Sequence, residues 1–174
     1  MTAPSASSAE ISRVFQKNLR IVHVRTVQHF LFNLHEFNFF RRSEGANYLF
    51  FGNPRPLAPL VAVPYVLLCE IIFFRGKRFF VKLKERVVGI LVVREKTEAL
   101  YISSLAVGPE YRRLGTGKSI LEYSGELAAR MGKSWLELSV LKRNTPARRL
   151  YERAGFSLFE ERKRSLRLRR NVGK

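Results

Sequence analysis

At 174 residues the chain is long enough for one domain with one core and too short for two full ones. A hydrophobic share of 46% excludes general disorder. The 32 Lys and Arg against 14 Asp and Glu give a formal charge of +18, which predicts attraction to polyanions: RNA, the ribosome, an anionic membrane leaflet or the phosphates of a nucleotide.

Residues 1–18 read as a loose tail, because the Ala- and Ser-rich start lacks the basic and apolar regions of a secretory signal. The domain is expected over residues 19–170, with a short basic end at 171–174. A first strand is predicted over Leu19 to Arg25. A helix should follow over Thr26 to Arg42, where Phe30, Leu34 and Phe37 recur at helical spacing, and Gly45 should stop it. His23, His29 and His35 cluster early, but His29 and His35 are six apart, which opposes them on a helix. They are read as ordinary imidazoles. Cys69 is the only cysteine, so neither an intramolecular disulfide nor a cysteine-based metal site can form. No metal is expected, and a reducing, cytoplasmic location is.

Gly52 to Pro56 form a loop signal, and residues 57–74 are then almost continuously apolar. Pro59, Pro64 and Glu70 argue against a membrane span. A membrane-touching helix helped by Arg75, Lys77 and Arg78 is a second reading, and a buried helix under a substrate-side lid is the leading one.

Three strands are predicted over Arg78 to Lys84, Val87 to Arg94 and Ala99 to Val107, joined by links short enough to make a meander. A helix follows over Gly117 to Arg130, stopped by Gly132. Then come a strand over Trp135 to Leu141, a short helix from Asn144 closed by Gly155, and a final strand pair from Phe156. In the basic run Arg162 to Arg170, alternating Leu166 and Leu168 suit a half-buried strand, and a nucleic-acid contact is the other reading.

The segment Arg112, Arg113, Leu114, Gly115, Thr116, Gly117, Lys118 lies between a strand end and a helix start. Two glycines there let the backbone approach a bulky anion, and a helix N-terminus adds roughly half a positive charge. Arg112, Arg113 and Lys118 add formal charge suited to a diphosphate. An ATPase-type phosphate loop is excluded because Arg112 stands where its first glycine belongs. A dinucleotide fingerprint fails because Ile120 replaces its third.

Arg-x-x-Gly-x-Gly after a strand ending Leu-Ala-Val-x-Pro resembles the acetyl-CoA-binding motif of the GNAT superfamily of N-acetyltransferases. Asn144 to Phe156 is similar to the same family's Asn-x-x-Ala-x-x-Leu-Tyr-x-x-x-Gly-Phe, and the two blocks together cover about Arg78 to Phe156. The resemblance implies an α/β (α+β) fold of the GNAT acyl-CoA N-acyltransferase type, a central mixed, mostly antiparallel sheet flanked by helices. It also implies acetyl-CoA as cosubstrate and an amine, on a protein or a small molecule, as direct attacker of the thioester.

By the same resemblance, backbone at Leu105, Ala106 and Val107 binds the pantetheine and polarises the acetyl carbonyl. Arg112 to Lys118 hold the pyrophosphate, Asn144 bonds the cofactor or orders the site, and Tyr151 protonates the leaving thiolate. The subgroup that acetylates ribosomal-protein N-termini has a glutamate base five residues before the motif asparagine. Ser139 stands there instead, which leaves Glu137 and Glu98 as water-mediated candidates. The alternative is a basic nucleic-acid- or ribosome-associated module with a vestigial or regulatory acetyl-CoA site.

Overall fold

The computed structural model describes residues 16–24 and 76–173. The helix predicted over 26–42, the loop and apolar segment at 52–74, His29, His35 and Cys69 all lie outside the described residues. Seven strands form one sheet: β1 (Leu19–His23), β2 (Lys77–Leu83), β3 (Arg86–Glu95), β4 (Ala99–Val107), β5 (Trp135–Leu141), β6 (Ser157–Glu161) and β7 (Ser165–Asn171). Among the described residues two complete helices accompany them, α1 (Thr116–Arg130) and α2 (Thr145–Arg153), with a 3-10 turn at Pro109–Tyr111. The spatial order is β1-β2-β3-β4-β5-β7-β6. Every neighbouring pair is antiparallel except β4 and β5, which is the mixed, mostly antiparallel sheet the motifs imply.

The short links Lys84–Glu85 and Lys96–Glu98 leave no room for a crossover, so β2, β3 and β4 must meander. The single parallel pair needs a long connection, and α1 supplies it. One face of α1 packs on β4 and β5 because Ile120, Leu121, Ser124, Gly125 and Ala128 recur at helical spacing and are all buried. They meet Leu91, Leu100, Ile102, Leu136, Leu138 and Leu168 in the main core. The opposite face of the sheet carries a smaller cluster of Val24, Phe80, Ile90 and Val92.

Both helices stop by the same device. Gly132 (φ 66°) ends α1, with the Lys133 amide bonded to the Ala128 carbonyl and the Gly132 amide to Ala129. Gly155 (φ 81°) ends α2, with Phe156 bonded to Tyr151 and Gly155 to Glu152. Each left-handed glycine lets the chain turn back and satisfy carbonyls that the last turn leaves open.

The basic run becomes β7. Leu168 is buried, Leu166 is partly so, and Arg170 turns inward to donate to the Leu121 and Ala154 carbonyls, both at 3.0 Å. Gly125 makes space for that guanidinium: a Cβ there would collide with it. Desolvation holds the Arg170 pKa below the usual guanidinium range.

Candidate cofactor and acyl-transfer site

The site begins where two strands part. β4 and β5 are paired from Ala99 with Trp135 through Ile102 with Leu138 and no further. Beyond that point β4 bonds only to β3, as far as Val107 with Gly89, and β5 only to β7, as far as Leu141 with Ser165. A register shift sits at the same place, because Val92 pairs with Ser104 and Val93 with Ile102, leaving Ser103 as an extra residue. Such a bulge bends its strand and re-aims its backbone. Backbone groups of Leu105 to Val107 on the β5 side therefore face an open cleft, as do those of Ser139 to Leu141 across from them.

The predicted phosphate turn lies at the end of β4. Arg113 (φ 60°) and Gly115 (φ 84°) are both left-handed, which curls the chain into the start of α1. The first bond of α1 runs from the Ser119 amide to the Gly115 carbonyl at 3.0 Å, so the amides from Gly115 to Lys118 have no acceptor inside the helix. They and the helix dipole suit an anion. Thr116 is buried, and its hydroxyl donates to the Tyr111 carbonyl at 2.8 Å, which braces the turn from behind.

The two glycines divide their work in a way that spacing could not show. Gly115 holds the left-handed turn and lies under the Gln16 side chain, whose amide donates to the Leu114 carbonyl at 3.5 Å. Gly117 is helical, and a Cβ on it would come 2.9 Å from a Leu150 methyl, so its bare position admits α2 against α1. The expected cations differ as well. Arg112 donates from Nε to the Val107 carbonyl at 3.2 Å and ties the turn to β4. Arg113 is exposed, and Lys118 pairs with Glu122 at 3.5 Å on the outer side of α1.

The second block places Asn144 and Tyr151. Asn144 is the N-cap of α2 and its side-chain oxygen accepts from the Ala147 amide at 3.3 Å, with Pro146 in the first turn. Tyr151 is buried in the main core, edge-on to Phe156 with ring centroids 5.9 Å apart. That ring contact belongs to the helix stop, since an apolar pair between these two positions commonly accompanies it. Burial pushes the Tyr151 phenol up to about 12. None of the described hydrogen bonds engages its oxygen.

The two candidate bases fare differently from one another. Glu98 lies at the closed end of the β4–β5 pair, where its carbonyl accepts from Ser134 and Trp135. Glu137 points away from α1 and its carboxylate is held between Lys96 and Arg167. Sequence reasoning missed Gln16, which carries no signal in a tail, and Ser104, whose buried hydroxyl has no partner. Among the described residues no cluster of His, Cys, Asp or Glu could hold a metal ion, and no helix is long and apolar enough to cross a membrane.

A sheet whose one parallel pair among the described strands opens beside a helix N-terminus is the arrangement that the two motifs imply for a GNAT-type acyltransferase fold. Residues 38–156 match the acetyltransferase (GNAT) family, and the chain belongs to it. Solved structures agree on the fold. The PaiA N-acetyltransferase from Thermoplasma acidophilum, in complex with coenzyme A, superposes with a TM-score of 0.69 at 15% identity over 88% of this chain and 98% of that one. The ribosomal-protein-S18-alanine N-acetyltransferase from Escherichia coli gives 0.67 at 16%, over 90% and 95%. A GNAT family acetyltransferase from Elizabethkingia anophelis, with acetyl-CoA bound, gives 0.62 at 16%, over 88% and 98%.

Proposed function

We propose that this protein transfers the acetyl group of acetyl-CoA to a primary amine by direct attack in a ternary complex. The observation that carries the reading is the parting of β4 from β5 after Ile102 and Leu138, next to the amides of Gly115 to Lys118, which have no acceptor inside α1. Acetyl-CoA supplies an activated thioester; the residues of this chain bind and orient it.

Amides of the turn and the first turn of α1 would take the pyrophosphate, with Arg113 adding charge from outside. Backbone groups along Leu105 to Val107 on the β5 side, the Val107 carbonyl held by Arg112 excepted, would hold the pantetheine and direct an N–H at the acetyl oxygen, where preorganised donors act most strongly. Tyr151 is the donor to the departing sulfur. The phenol, pushed up to about 12, stays protonated throughout the neutral range and so always has a proton to offer the departing thiolate. Because a thiol near 8.5 is the stronger acid, the phenol acts chiefly as a hydrogen-bond donor to the sulfur, and the sulfur's proton is finally supplied from solvent. Asn144 acts on the site through the helix it caps. With Glu137 engaged by two cations, deprotonation of the amine falls to water or to the amine's own equilibrium.

The test combines two measurements. Calorimetry should register acetyl-CoA binding, and coenzyme release across an amine panel should register transfer. Tyr151→Phe should lower kcat by roughly 100-fold or more, in the range general acids contribute, while acetyl-CoA affinity stays within about twofold. Retention of nearly full rate removes Tyr151 from the chemistry, and absence of binding heat removes the whole reading. A vestigial site on a nucleic-acid-binding module would instead bind acetyl-CoA without turnover and bind RNA with a steep salt dependence.

A further inference from the structure

The sheet face turned away from α1 carries charges that acetyl transfer itself does not require. Strand alternation puts Leu100, Ile102, Leu136, Leu138 and Leu168 under α1 and therefore Tyr101, Glu137 and Arg167 on the far side. Lys96 lies 4.5 Å above the Tyr101 ring on that side, and Arg169 lies 4.2 Å from Trp135 and 5.2 Å from Phe159. Arg94, directly opposite Tyr101 in the pairing, belongs to the same face. Arg94, Lys96, Arg167 and Arg169 thus lie on this face together with the carboxylates of Glu137 and Glu160, and the buried Arg78, opposite Val92, belongs to it as well.

Both carboxylates are already neutralised. Glu137 is paired with Lys96 and Arg167, and Glu160 with Arg167 and Arg162, whose guanidiniums hold its carboxyl below the usual carboxylate range. No carboxylate among the described residues pairs with Arg94 or Arg169. Arg94 is the one at the cleft. Its Nε donates to the Ser103 hydroxyl at 2.9 Å, and Ser103 is the bulge residue at which β4 leaves β5. Its guanidinium carbon sits 5.8 Å from the Tyr101 ring centre, and none of the described hydrogen bonds engages its two terminal nitrogens, the fork of the guanidinium. The next residue, Ser104, is only 6% exposed, lies on the same face, and has a hydroxyl with no hydrogen-bond partner. A buried hydroxyl left unsatisfied is costly, and a ligand atom that reached it would remove that cost.

We infer that the acceptor is an amine carrying a carboxylate close to its amino group, read by the Arg94 fork with the Ser104 hydroxyl as a second partner. The inference rests on the acetyl-transfer reading above and narrows its substrate. A guanidinium fork beside the acyl cleft matches a carboxylate in two parallel bonds, and a polycationic acceptor would meet a net positive charge there.

Matched acid and amide acceptors test it: alanine against alaninamide and phenylalanine against phenylalaninamide, with spermidine as the cationic arm, followed by coenzyme release. We expect each acid to exceed its amide in kcat/KM by roughly 10- to 100-fold, the range of a charge-assisted pair of bonds, with the difference in KM. Arg94→Gln should erase that preference, Arg94→Lys should restore part of it, and neither should change acetyl-CoA affinity by calorimetry. Melting curves show whether each variant is folded, and a second variant, Ser104→Ala, should raise the acid's KM in a fold that keeps Arg94. Equal rates on acid and amide, a preference for spermidine, or no turnover of any carboxylate-bearing amine by protein that binds acetyl-CoA would each overturn the inference and leave acetyl transfer standing. Failure to bind acetyl-CoA would overturn both.

Discussion

Tyr151 owes its position to a helix end. It is the residue of α2 whose carbonyl accepts the Phe156 amide, and Phe156 closes over its ring. The Leu-Tyr-x-x-x-Gly-Phe spacing is therefore a mechanical requirement: four residues of turn place the left-handed glycine, and the next side chain returns to the tyrosine. Because burial raises the folded phenol's pKa to about 12 from an ordinary value near 10, the folded chain binds that proton more tightly than the unfolded one. The stabilisation is intact below pH ~10 and is lost as pH rises from about 10 to about 12. Alkaline unfolding should accordingly shift to higher pH in Tyr151→Phe, and circular dichroism against pH reads the shift. At the other end of α2, Asn144→Ala removes the cap bond to Ala147 and should cost about 1 kcal/mol, seen as a lower Tm.

At the scale of an element, the turn before α1 shows how two glycines of one motif answer to different forces. Gly115→Ala must hold a side chain at φ 84° beneath Gln16, so it should destabilise by about 1–2 kcal/mol and weaken acetyl-CoA binding together with stability. Gly117→Ala meets only the end of the Leu150 side chain, and alanine's better helix propensity, worth about 1 kcal/mol, offsets the shift. Its Tm should stay nearly constant. Denaturation and calorimetry on the pair separate a conformational glycine from a packing one. The bulge at Ser103 belongs to the same scale, for it is one extra residue that turns β4 out of register just where it parts from β5.

Across the whole molecule, a large positive charge coexists with a basic strand that is mostly engaged internally. Arg167 bridges Glu137 and Glu160, Arg169 stacks on Trp135, and Arg170 joins α1, α2 and β7. Arg170→Met should lose two bonds from a charged donor to buried carbonyls, about 2–3 kcal/mol, and lower Tm by roughly 5–10 °C. Any RNA affinity would then come from exposed cations such as Lys163 and Arg164, which a Lys163→Ala, Arg164→Ala double variant isolates without touching the fold.

The described strands from β1 to β5 and both helices were legible in sequence within a residue or two, and the last two strands as a pair after Phe156, because strand alternation, helical spacing, the cap Asn144 and the stops Gly132 and Gly155 are local requirements. The tight turn at Arg113 to Gly115 and the helix start after it were legible for the same reason, as φ and a helix start depend on neighbours in the chain. Other features depend on residues far apart in sequence. That Gly117 faces Leu150, that Arg170 turns inward beneath Gly125, that Glu137 is clamped by Lys96 and Arg167, and that Arg94 meets Ser103 at the mouth of the cleft were settled only by packing. A sequence carries dihedral preference and periodicity position by position; which charge finds a partner is decided when the sheet brings its strands side by side.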